Sequence, residues 1–173
     1  MTADAPEKFV RAFDAHDAFE RDGEGFVVTT STFGGRVTAE ETDDWALVYS
    51  LEVRVPMLSA TTEEAVGPAV EEGWFDTFAL RLEDAPGAVR QDLSLDAYEV
   101  ERVADEAVAT FEFEWGNADH VPRMTKAMAE YVEGTYVEGI VPGYQYGSPV
   151  SELLSSARSS GGDGDGSGDP MPL

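Results

Sequence analysis

Trp45, Leu47, Tyr49, Leu51, Val53 and Val55 alternate with Ala46, Val48, Ser50, Glu52 and Arg54. This period of two predicts a long strand with one buried face. Pro56 ends it, because proline donates nothing to a ladder. A second alternation sets Ala107, Ala109, Phe111, Phe113 and Trp115 against Val108, Thr110, Glu112 and Glu114. Its glutamates mark the other face as wet, as one face of an antiparallel sheet commonly is. Residues 95–103 read as the strand before it, with a turn at Ala104-Asp105-Glu106. Residues 26–33, rich in Val, Thr and Phe, read as an earlier strand. Gly34-Gly35 then makes a turn or bulge leading into Arg36-Val37-Thr38-Ala39.

Helical spacing separates these strands. Phe9, Val10, Phe13 and Phe19 predict a first helix over 5–20, closed by Asp22-Gly23-Glu24-Gly25. Thr61 and Glu64 have the spacing of a capping box. Val66, Val70, Trp74, Phe78 and Leu82 then recur at four-residue steps, predicting a helix over 62–82. Gly67, Pro68 and Gly73 weaken it; Pro68 fits either a first turn or a kink, and 75–82 also suits a short strand. Ala85-Pro86-Gly87 marks a loop. Asn117 or Asp119 caps a last helix striped by Met124, Met128, Tyr131, Val132, Thr135, Tyr136 and Ile140. Pro142-Gly143 stops it, and residues 151–157 add a helical turn.

The order α-β-β-α-β-β-α, with strands in consecutive groups, predicts an α+β fold with a mainly antiparallel sheet. Residues 1–158 make one domain of ordinary size. Residues 159–173 are Ser, Gly, Asp and Pro, a composition that does not offset its ordering entropy.

Charge changes the picture most. The chain has 35 acids against 11 bases, a net −24. Only Asp163, Asp165 and Asp169 lie past Arg158, so the acidity belongs to the folded body. Such a charge repels itself in dilute buffer and is screened in molar salt. With two lysines, the composition points to a salt-rich cytoplasm, with cations at the surface. There is no cysteine, no apolar run long enough for a membrane span and no signal-like N-terminus. With no basic stripe, nucleic-acid binding is disfavoured.

Candidate chemistry is sparse. His16, between Asp14 and Asp17, and His120, after Asp119, read as solvated positions. Carboxylate pairs such as Glu40-Glu41 and Glu112 with Glu114 are expected by chance in this composition. The tail string 163–169 matches the first part of a calcium loop, but position 12 falls beyond Leu173, so it reads as an acidic tail. No dinucleotide, P-loop, zinc-protease or hydrolase signature occurs, and no cofactor or metal site is assigned. Two aromatic-dense segments, Gly73-Trp74-Phe75 and Tyr144-Gln145-Tyr146, suit core packing. In the sharper reading, Trp74, Tyr144 and Tyr146 form a partner surface.

The strings Gly73-Trp74-Phe75-Asp76-Thr77, Phe113-Glu114-Trp115-Gly116-Asn117-Ala118-Asp119, Tyr131-Val132-Glu133-Gly134-Thr135-Tyr136 and Val141-Pro142-Gly143-Tyr144 resemble a small haloarchaeal family of unknown function. That resemblance covers about residues 8–146 and implies no activity. The element order is similar to the type III secretion chaperone-like fold, which implies protein binding. The leading expectation is therefore a non-catalytic protein-binding or adaptor module, taking another protein or a second copy of itself. The alternative is a small hydrolase using carboxylates, marked by a deep cleft lined by acids and a histidine.

Overall fold

The computed structural model describes residues 5–166, with side chains through residue 159. Six strands form one antiparallel sheet. They are β1 (Phe19–Asp22), β2 (Gly25–Val28), β3 (Arg36–Glu41), β4 (Leu47–Pro56), β5 (Ala97–Val103) and β6 (Glu106–Trp115), in the order β1-β2-β3-β4-β6-β5. Five helices accompany it: α1 (Glu7–Asp14), α2 (Leu58–Thr61), α3 (Pro68–Leu82), α4 (Val121–Glu138) and α5 (Val150–Gly166). Short 3-10 turns occupy Ala85–Ala88 and Ala118–His120. The α+β class and the single domain stand as expected. Among the described residues no helix is long and apolar enough to cross a membrane.

The two alternating segments form the central strand pair. Leu47, Tyr49, Leu51, Val53 and Val55 of β4 are buried, and in register they face Trp115, Phe113, Phe111, Ala109 and Ala107 of β6. Helices back this face. The α1 rings of Phe9 and Phe13 meet Phe26 at 5.3 and 5.4 Å, and Phe9 meets Tyr49 at 6.1 Å. Met124, Met128, Val132 and Tyr136 of α4 are buried in the same core. The opposite face of the sheet is mostly polar and partly exposed, with Val27, Val48, Val103 and the buried Val108 and Gly25 among its residues.

Several boundaries differ from the sequence expectation. The first helix stops at Asp14, and Phe19 belongs to β1 instead. The Ala18 N–H donates to His16 Nδ1 at 3.2 Å, a local bond that turns the chain out of the helix. Asp22-Gly23-Glu24-Gly25 is a hairpin turn, with Gly23 at φ +63° and Asp22 paired to Gly25. β2 ends at Val28, short of the expected Phe33. Thr61 does not cap the long helix; it ends α2, and α3 begins at Pro68, whose missing N–H is harmless at a first turn. Residues 75–82 are helix. α5 runs further than the single turn expected, into the segment read as a tail; residues 167–173 lie outside the description.

Gly25 marks a close approach. A Cβ there would stand 2.7 Å from the Val37 carbonyl oxygen, a backbone atom that cannot swing aside. Gly25→Ala is expected to cost about 2 kcal/mol. Gly73, inside α3 with open space beside it, gives the opposite sign: Gly73→Ala adds up to about 1 kcal/mol. Denaturant titration of both variants checks the pair, and equal signs contradict this account of Gly25.

Glu71 is the buried acid of α3, 7% exposed. Its Oε2 accepts the Ser59 N–H at 2.8 Å at the start of α2, and its Oε1 lies 3.4 Å from the Arg102 guanidinium on β5. Burial pushes its pKa up, but the hydrogen bonds from Ser59 and the charge of Arg102 together outweigh that and hold it below the ordinary carboxylate value. A lowered folded pKa contributes stability above the unfolded value, and this is lost as pH falls through the folded one. Glu71→Ala is expected to cost about 2 kcal/mol at neutral pH and to flatten the acid limb of stability against pH. An acid limb as steep as the wild type's contradicts this.

Candidate binding site

The end of α4 and the chain beyond it build an open concavity. Gly139 closes the helix, donating to the Thr135 carbonyl at 3.0 Å, and Gly143 turns the chain at φ +99°. The returning segment is stapled to the loop after α2. Glu63 N donates to Gln145 O at 2.9 Å, Gly147 N to Thr61 O at 2.7 Å, and Gln145 N to the Glu64 carboxylate at 2.9 Å. Thr62 and Tyr146 form an antiparallel bridge there. The Tyr146 hydroxyl donates to the Val141 carbonyl, and its ring meets that of Tyr144 edge-on at 6.5 Å.

α5 packs alongside and leaves an open groove of about 630 Å³. Its walls include Ile140, Val141, Tyr144, Tyr146, Leu154 and Arg158. A smaller cavity of about 250 Å³ lies between α3 and α4, bounded by Trp74, Thr77, Phe78, Arg81, Thr135 and Val141. Val141 belongs to both walls. One residue in five of this chain is acidic, yet neither lining holds an Asp or Glu, and each holds an arginine.

The three aromatic residues expected at a partner surface therefore separate. Tyr144 and Tyr146 are half-buried and line the groove. Trp74 is only 5% exposed and belongs to the core. Its ring stacks on Phe78 at 5.4 Å and meets the edge of Tyr136 at 5.6 Å, so its face is not presented to solvent. Its four-residue recurrence with Phe78 and Leu82 was the core signal.

An exposed aromatic escaped the sequence reading. Trp45 is 70% exposed, in the turn before β4. Alternation assigned it to the buried face, but the strand begins at Leu47. Thr42 Oγ1 accepts the Asp44 N–H at 3.0 Å and donates to the Ala46 carbonyl at 2.9 Å, so the turn is tied by its own side chain. The indole lies directly against Gly116.

The histidines stay apart from both concavities. His120 Nδ1 accepts from Trp115 Nε1 at 3.2 Å, and its Nε2 lies 3.2 Å from the Asn117 amide. Among the described residues no three His, Asp or Glu side chains stand close enough to hold a metal ion. The string 163–169 lies outside the described side chains.

A helix-backed antiparallel sheet defines the class: an α+β domain. The chain belongs to the DUF5813 family, a family of unknown function, whose model matches residues 14–156. That span includes the whole sheet and the groove wall up to Ser155, short of Ala157 and Arg158. No curated protein and no solved structure matches the chain.

Proposed function

We propose that this domain is a non-catalytic protein-binding module of a salt-rich cytoplasm, and that its docking site is the groove between the end of α4 and α5. The observation that carries this reading is the groove's charge. One residue in five of the chain is acidic, while here Ile140, Val141, Tyr144, Tyr146 and Leu154 surround a concavity with Arg158 in its lining and no acid. Desolvating such a lining costs little, and aromatic and arginine side chains are the types enriched at interfaces. The occupant that fits is an apolar segment of a partner protein flanked by acidic residues, which Arg158 pairs. The carboxylate-enzyme reading has less support, since neither concavity is lined by an acid or a histidine.

The test uses the full chain immobilised in about 2 M KCl, where surface repulsion is screened. Proteins retained from extract by the wild type are expected to be lost on Leu154→Glu and kept on Val103→Glu, a substitution at the exposed far edge of the sheet. An unchanged retained set on Leu154→Glu overturns the groove. Sedimentation of the purified chain decides whether a second copy is the partner.

A further inference from the structure

The cavity between α3 and α4 has a feature the groove lacks. The Trp74 indole N–H is shut off from water and has no acceptor in the protein. A buried donor without a partner is costly and uncommon. It belongs to a side chain in the cavity wall. The same wall supplies the guanidinium of Arg81 and the hydroxyl-bearing Thr77 and Thr135, and Phe78 and Val141 make it apolar. Every polar side chain of that lining can donate, and none is a carboxylate.

Arg81 is held at the rim. Its Nη2 lies 2.5 Å from the Glu138 carboxylate, and its own carbonyl accepts the Tyr131 hydroxyl at 3.1 Å. Glu138 is two-thirds exposed, so this exposed pair is weak and exchangeable. A second carboxylate of the right size can take its place, or share the fork through the remaining N–H groups. The volume suits a small molecule: about 250 Å³ is the space of roughly eight waters at ~30 Å³ each.

We propose that this cavity is a binding site for a small organic acid, with its apolar body against the Trp74 and Val141 side of the wall and its carboxylate on Arg81. The site is independent of the protein-docking reading, because it rests on a different cavity and a different cation. It does share the Val141 wall with the groove, so occupancy is placed to affect docking.

The test is a two-dimensional proton–nitrogen spectrum of the full chain in about 2 M KCl. The three tryptophans, Trp45, Trp74 and Trp115, give three indole signals, and Trp74→Phe assigns the relevant one. Phenylacetate and hexanoate are the probes, with benzylamine and hexanol as controls. The expected result is a saturable shift of the Trp74 signal with the acids and not with the amine or alcohol, while Trp45 stays still. Arg81→Met weakens binding at least ten-fold. Glu138→Gln, which frees the guanidinium, tightens it several-fold. Arg81 and Glu138 are exposed enough for both variants to fold. No saturable shift with either acid overturns the proposal and leaves a water-filled cavity. A shift that the amine reproduces, or that survives Arg81→Met unchanged, overturns it equally.

Discussion

Dialysis from about 2 M KCl to below about 0.1 M is expected to unfold the domain, seen as a cooperative loss of far-ultraviolet circular dichroism. The screening length is about 3 Å in molar salt and about 10 Å at 0.1 M. The sheet's open face makes that range decisive. In register, Glu99, Thr110 and Glu52 form one row across β5, β6 and β4, and Glu114, Val48 and Glu40 another across β6, β4 and β3. Strands lie about 4.8 Å apart, so the acids of each row stand about 10 Å from one another. They are screened at high salt and exposed to one another at low salt. Among the described residues no registered strand pair sets one acid directly opposite another, the arrangement that is most destabilising. The register thus keeps like charges at the distance where salt, and not direct pairing, controls the repulsion. The seven ion pairs among the described residues offset little, because nearly all are well exposed and such pairs are worth ~0–1 kcal/mol each. Sodium and potassium chloride should protect equally, since screening depends on ionic strength. An unchanged spectrum at 0.05 M of either salt removes the physical basis for assigning the domain to a salt-rich cytoplasm.

How much of this was legible in the sequence depends on the range of the forces involved. β4 and β6 announce themselves, because their burial is set by a local alternation that the sheet simply uses. The long helices do likewise through their four-residue stripes. The first hairpin was hidden because Asp22-Gly23 serves equally well to close a helix or to turn a hairpin, and the choice is made by Phe26 and Phe13 packing together at 5.4 Å. Glu64 was misassigned for a similar reason. Its carboxylate accepts a backbone N–H 81 residues away, at Gln145, and not one in its own helix. At the candidate site, Tyr144 and Tyr146 were visible as aromatic density, but Arg158 was not. It acquires meaning only when α5 folds against the end of α4. The charge excess also concealed the candidate site, because the groove is recognised by the acids it lacks.

Stability is also expected to fall steeply above pH 10, and two single-atom deletions should move neutral stability in opposite directions. Burial pushes the Tyr49 phenol up to about 12, with the charge of Asp119 adding to it. Burial likewise raises Tyr98, helped by Glu83 and Tyr131, and Tyr136, helped by Tyr146. Each folded value lies above the unfolded value of about 10. Their contribution is therefore complete below pH 10 and is lost as pH rises through the folded values. The phenols differ in one respect. The Tyr136 hydroxyl donates to the Pro56 carbonyl at 3.0 Å, and that of Tyr98 donates to the Ala79 carbonyl. The Tyr49 hydroxyl is buried with no partner. Tyr136→Phe therefore removes a made hydrogen bond and should cost about 1 kcal/mol at pH 7. Tyr49→Phe removes an unsatisfied polar group from the core and should add about 1 kcal/mol. Both variants should have a shallower alkaline limb than the wild type, since each lacks one phenol that must ionise on unfolding. Denaturant titrations from pH 7 to 12 in high salt measure all of this. A loss of neutral stability on Tyr49→Phe as large as that on Tyr136→Phe would mean that the Tyr49 hydroxyl has a partner after all, and with it a reason for a polar group at the centre of the sheet.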